Sequence, residues 1–126
     1  EGYLLSCIGK DNKKHSIAYL TDCNFISDDS IKLIKSNCGI LEHVIIDALR
    51  EKKHSTHCNF EEALGYANTL CANHTWFTHI CHDTSHEDIC KYIEKNIHLY
   101  PSLEKIKKTG GSVAPAFDGL VISCGE

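Results

Sequence analysis

Apolar and polar positions alternate along the chain in a way that divides it into short elements. Residues 2–9 and 15–21 are two apolar segments separated by Lys10-Asp11-Asn12-Lys13-Lys14, a polar turn, and the pattern predicts a hairpin. Ser27-Asp28-Asp29 then caps a helix running to about Ser36, with Ile31, Leu33 and Ile34 on its inner face and Gly39 closing it. Within 40–49, the β-branched run Val44-Ile45-Ile46 suits a strand buried on both faces. After a polar loop over 50–58, a helix begins near Asn59. Phe60, Ala63, Leu64, Ala67 and Leu70 recur at helical spacing, and Glu61-Glu62 sit in its first turn. A strand over 75–78 follows, then a helix opened by Ser85-His86-Glu87-Asp88 with Ile89, Tyr92 and Ile93 as its apolar side. Residues 98–112 read as a loop or a short irregular helix. Residues 113–123 read as a last strand, interrupted by Pro115 and by Asp118-Gly119. Strand–strand–helix–strand–helix–strand–helix–strand is an α/β layered order without an internal repeat.

Candidate chemistry gathers at the ends of the predicted strands, where α/β proteins bind ligands. The run Trp76-Phe77-Thr78 ends in His79, followed by His82, Asp83 and His86. His79 is either a metal ligand or a core histidine satisfied by a carbonyl, and His82 and His86 fit one exposed helical turn equally well. Asp22 ends the segment Tyr19-Leu20-Thr21, as a turn aspartate or as a carboxylate bridging two cations. Asp47 interrupts Ile45-Ile46 and Ala48-Leu49, and a buried aspartate there needs a partner such as Arg50 or a histidine. His54 and His57 are an acid–base pair or solvated loop residues. His15, His43, His74 and His98 lack supporting context and are expected at the surface.

Composition narrows the choice. The chain of 126 residues suffices for one domain or part of one, and 42% hydrophobic with 24% charged residues is the balance of a soluble globular protein. A formal charge of −4 gives no general reason to expect nucleic-acid binding. No apolar run approaches the roughly 20 residues of a spanning helix, and the first residues lack the layout of a signal peptide. The 8 cysteines are spread without a Cys-x-x-Cys pair, with Cys71 and Cys90 inside helical patterns. They are expected to be reduced, half-buried thiols of a cytoplasmic protein rather than a zinc knuckle or a bridged framework. The absence of methionine suits a piece of a longer polypeptide.

Five ordered motifs carry a resemblance. Tyr19-Leu-Thr-Asp22, Ile45-Ile-Asp-Ala-Leu-Arg50, His54-Ser-Thr-His57 with Glu61-Glu62-Ala63, Phe77-Thr-His-Ile80 with His82-Asp83, and Pro115-Ala-Phe-Asp-Gly119 span roughly residues 15–122. Together they resemble the C-terminal half of a metallo-β-lactamase-fold hydrolase. The similarity is to the subgroup containing the phosphoribosyl 1,2-cyclic phosphate phosphodiesterase, and more distantly to ribonuclease Z. The resemblance implies a single partial domain over 1–126, half of an αββα sandwich, as a mixed sheet with helices on one side. By position it implies Asp22 as the aspartate bridging two divalent metals (Zn or Mn) and His79 as the last histidine ligand. It further implies His57 as proton donor to the leaving oxygen and Asp47 as its orienting acid. Asp118 and Gly119 match a signature with a structural role, and His54, His82 and Asp83 are assigned only to the surroundings of the site. Cations of this kind activate water and clamp phosphate oxygens, and a histidine titrating near neutrality protonates the departing alkoxide.

The chain departs from the family in one large respect: it contains no His-x-His-x-Asp-His motif. Asp22 and His79 alone hold a metal poorly, so the isolated chain is expected to be inactive and to carry partial metal or none. Half a sandwich also leaves one sheet face open, which predicts self-association or pairing with the missing N-terminal half. The substrate implied is a small phosphodiester, cyclic or sugar-linked. A lactone, a thioester or an RNA end is the alternative within the fold, and a non-catalytic interaction module the alternative to an enzyme. A free-standing Cys/His zinc-binding protein is the least favoured reading.

Overall fold

The computed structural model describes residues 2–21, 25–49, 58–80 and 84–126. Five strands form one mixed sheet in sequence order: β1 (Gly2–Ile8), β2 (Lys14–Leu20), β3 (Ile40–Asp47), β4 (His74–Thr78) and β5 (Ser112–Pro115). β1 and β2 are the predicted antiparallel hairpin, paired from Gly2↔Leu20 to Ile8↔Lys14, and β2 to β5 are all parallel. Helices α1 (Asp28–Asn37) and α2 (Phe60–Leu70) fill the first two crossovers. The third holds α3 (His86–Asn96), a 3-10 turn (Ile97–Leu99) and α4 (Pro101–Lys108). Parallel neighbours in sequence order with crossovers of one hand put every helix on the same face of the sheet.

The alternation of side chains along each strand explains which residues meet those helices. Ala18, Leu20, Val44, Ile46, Thr75 and Phe77 are buried beneath them. Against these pack Ile31 and Ile34 of α1, Phe60, Ala63, Leu64, Ala67 and Leu70 of α2, Ile89 and Ile93 of α3, and Leu103 of α4. The Phe60 and Phe77 rings stack with centroids 6.0 Å apart, joining α2 to the central strand β4. Local signals set the helix starts. Ser27 and Ser85 accept from the backbone N–H groups of Ser30 and Asp88, and Asn59 with Glu62 forms a reciprocal capping box.

The opposite face is open. Tyr3 and Leu5 are each 59% exposed and Tyr19 41%, and Ile17, Ile45 and Trp76 on the same face are only half-buried. That is the expected half-covered sheet. No helix among the described residues is long and apolar enough to cross a membrane.

Several expectations are corrected. Residues 101–108 form a regular helix because Pro101 sits in its first turn and Leu103 anchors it, fully buried, while Ser102 N–H donates to Asn68. The last strand stops at Pro115, and 116–126 are irregular. Cys71 does not lie inside a helix but caps α2 in a left-handed conformation (φ 58°), and Cys7, Cys71 and Cys90 are exposed rather than half-buried.

His15 and His43 are buried, not superficial. The segment after β5 crosses the open face, and the Ser123 carbonyl accepts from His43 Nε2 at 2.8 Å. Trp76 Nε1 donates to His43 Nδ1 at 3.0 Å, which fixes that ring as the neutral Nε2–H tautomer. His74 stacks on His43 at 5.2 Å, and burial, with His43 beside it, holds its pKa below the usual histidine range. His98 is exposed, as expected.

His15 lies between two carboxylates, its Nε2 2.9 Å from Asp11 and its Nδ1 3.0 Å from Glu42. The hydrogen bond to Asp11 raises its pKa, against burial, with Glu42 adding to the rise. Asp11 is lowered by the Lys13 N–H and then by His15. Burial pushes Glu42 up but is outweighed by bonds from the Gly125 N–H and the Cys124 thiol and by His15, so that its pKa falls.

Two outcomes follow from these contacts. Asn59→Ala costs about 1 kcal/mol in urea unfolding, and Asn59→Ser restores most of it. Because the folded pKa of His15 is raised, its contribution is complete below the unfolded value of about 6.5 and is lost as pH rises through the folded value. The thermal midpoint of wild type should therefore exceed that of His15→Gln at mildly acidic pH, and the gap should close on the alkaline side of that window.

Candidate metal-site edge

The parallel strands β2, β3, β4 and β5 all end at one edge of the sheet, and of the sequence-predicted residues Asp47, His79 and Asp118 lie along it. Register decides which of them meet. Ile46 pairs with Phe77 and Asp47 with Thr78, so the end of β3 lies beside the residue preceding His79. Pairing continues one step past the strand, where the Ala48 N–H donates to the Thr78 carbonyl at 3.0 Å. On the other side, the Ala116 N–H donates to the Phe77 carbonyl at 2.8 Å. Both neighbours thus hold the end of β4 in place.

At His79 the backbone turns into the left-handed region, φ 55°, which non-glycine residues adopt infrequently. The turn places Nδ1 2.7 Å from Asp47 Oδ1. The Asp47 side chain is fully buried, whereas that of His79 is 40% exposed. A carboxylate taken out of water needs a charged or hydrogen-bonding partner, and an imidazole held at Nδ1 turns its Nε2 away from that partner. A carboxylate behind Nδ1 is one way in which a histidine is held in a fixed orientation.

Asp118 lies further along the same edge, exposed, in a turn closed by the Leu120 N–H to the Phe117 carbonyl at 3.0 Å. Gly119 occupies the position of that turn requiring positive φ, at 86°. Beside it the Phe117 ring meets His86 edge-on at 6.2 Å. Asp22, His54, His57, His82 and Asp83 lie outside the described residues, as does any contact between Asp47 and His57.

Among the described residues no group of three or more His, Cys, Asp or Glu side chains converges on one point. The donor set here therefore fits one oriented imidazole position in a metal site, not a complete cage. The histidine partner expected for a buried Asp47 is His79, which the sequence does not single out from the other histidines. Aligning the apolar runs of 44–46 and 75–77 as adjacent parallel strands would have brought the two residues together.

No family model and no curated protein matches the chain. Solved structures do. The crystal structure of a diphosphatase from the PhnP family is similar at 31% identity and TM-score 0.59, over 94% of this chain and 41% of that one. The metallo-β-lactamase fold protein YhfI from Bacillus subtilis is 19% identical at TM-score 0.57, over 94% of this chain and 47% of its own. Human tRNase Z, short form (ELAC1), is 16% identical at TM-score 0.55, over 97% and 42% respectively. The chain thus spans less than half the length of each of these relatives. It is a partial metallo-β-lactamase-fold domain, similar in sequence to a member of the PhnP family and in fold to tRNase Z.

Proposed function

We propose that this chain is the C-terminal part of a metal-dependent hydrolase, a phosphodiesterase acting on a cyclic or sugar-linked phosphate. The observation that carries the reading is the buried Asp47 carboxylate 2.7 Å from His79 Nδ1 at the mouth of the sheet. In this reading His79 and Asp22 hold divalent cations, Zn or Mn, together with ligands from the part of the protein that the chain does not include. Asp47 fixes the His79 ring so that its second nitrogen faces the site. His57 donates the proton to the departing oxygen. Bound cations would supply the positive charge that neutralises phosphate oxygens and activates water. Support for the phosphate comes from the PhnP-family diphosphatase, and the charge of −4 weighs against an RNA substrate.

The chain alone is inactive in this account, because two ligands do not make a site. The open face bearing Tyr3, Leu5, Ile17, Tyr19, Ile45 and Trp76 is where the missing half, or failing that a second copy, would pack. A reducing, cytoplasmic setting suits the six described cysteines, all unbridged.

Metal content and hydrolysis of bis-p-nitrophenyl phosphate, measured on the whole protein and on this chain, test the proposal. The whole protein should hold about two metals per chain and turn over, and the isolated chain should do neither. In the whole protein, Asp47→Asn should weaken metal binding about 10- to 100-fold. His57→Ala should lower kcat by about 10²–10⁴ with metal content unchanged. A whole protein that is metal-free and inert overturns the catalytic reading in favour of an interaction module.

A further inference from the structure

The segment after β5 returns across the sheet to the far end of β1, at the opposite edge from His79, and there it is laid down unusually closely. Gly125 accepts at its carbonyl from the Lys10 N–H at 3.2 Å and donates its own N–H to Glu42 Oε2 at 2.6 Å. A Cβ on Gly125 would lie 2.8 Å from Cys7 Sγ and 3.2 Å from Gly9 Cα, and one on Gly9 would lie 2.8 Å from the Gly125 carbonyl oxygen. Gly125 also has φ +83°, so only glycine allows this approach. The contact places two cysteines together. The Cys7 thiol donates to the Cys124 carbonyl at 3.6 Å, inside the same close approach.

We propose that Cys7 and Cys124 are a disulfide-forming pair that locks the segment after β5 onto the end of β1 when the thiol–disulfide balance turns oxidising. The two members differ in the way sequential exchange requires. Cys7 is exposed and meets a small disulfide from solvent, whereas Cys124 is half-buried, and burial together with the Glu42 carboxylate pushes its thiol up to about 12. Cys7 is therefore the attacking thiol and Cys124 the resolving one. The Cys7 thiolate attacks a low-molecular-weight disulfide such as oxidised glutathione, forming a mixed disulfide and releasing one thiolate. The Cys124 thiol then gives up its proton to solvent, and its thiolate attacks the Cys7 sulfur and expels the second glutathione thiolate, which is protonated in turn. Two electrons and two protons leave the cysteine pair for two molecules of glutathione.

The bond would fix more than the two sulfurs. The same segment carries the Ser123 carbonyl that accepts from His43, so oxidation pins the strip lying on the open sheet face beside His43, His74 and Trp76. The other exposed described thiols, Cys71 and Cys90, lie at the C-cap of α2 and on α3 in the helical layer and have no such neighbour among the described thiols.

The test equilibrates the protein in reduced and oxidised glutathione mixtures, quenches with acid, alkylates, and maps peptides by mass spectrometry. Oxidising mixtures should yield a Cys7–Cys124 linked peptide lighter by two hydrogens than its parts, with both cysteines lost from the alkylated pool. Reduced glutathione should return both. Cys7→Ser and Cys124→Ser should each abolish the linked peptide, and Cys124→Ser should leave glutathione on Cys7. Glutathione retained on Cys7 of the wild type with Cys124 still alkylatable overturns the proposal, as does pairing of Cys7 with any other cysteine.

Discussion

Everything proposed for the site depends on one contact, the fully buried carboxylate of Asp47 against Nδ1 of His79. An aspartate in that position would be costly without a partner, and the partner is supplied by parallel pairing rather than by local sequence. Ile46↔Phe77 and Asp47↔Thr78 set the register, and the bond from Ala48 to Thr78 carries it beyond the strand ends. Val44, Ile46 and Phe77 are themselves buried under α1 and α2, so the core of the domain is what holds two polar side chains in line. The left-handed turn at His79 then brings its ring back toward the sheet. A side chain held by packing and by a carboxylate behind it is the kind of ligand a metal site needs, because a cation tolerates little error in direction.

The same sheet has two unlike faces. Helices cover one face over β2, β3 and β4, and the other carries aromatic and aliphatic side chains in water, relieved where the strip after β5 crosses it. Each of the relatives is more than twice as long as the part this chain matches. In the proposed reading, site and open face point the same way: ligands and packing partner would both come from outside the chain.

Much of this was legible in the sequence. The hairpin, the three capped helix starts and the alternating order of strands and helices followed from turn residues, Ser and Asn caps and helical or alternating periodicity. Asp47 and His79 stood out as polar residues ending apolar runs. What could not be read were contacts between residues far apart in the chain. His43 looked superficial because its partners, Trp76 and Ser123, lie 33 and 80 residues away. His15 gave a closer hint through Asp11 four residues before it, but Glu42 reaches it only through the sheet. The strand predicted over 113–123 stopped at Pro115 because the chain there leaves the sheet for the Asp118-Gly119 turn, an edge position that alternation alone does not reveal.

The most direct measurement is the tautomer of His79, read from long-range ¹H–¹⁵N correlations of the imidazole at a pH where the ring is neutral. The account predicts a proton on Nδ1 facing Asp47 and a bare Nε2, with Asp47→Ala collapsing that preference. A ring protonated at Nε2, or one averaging between tautomers in the wild type, would contradict it.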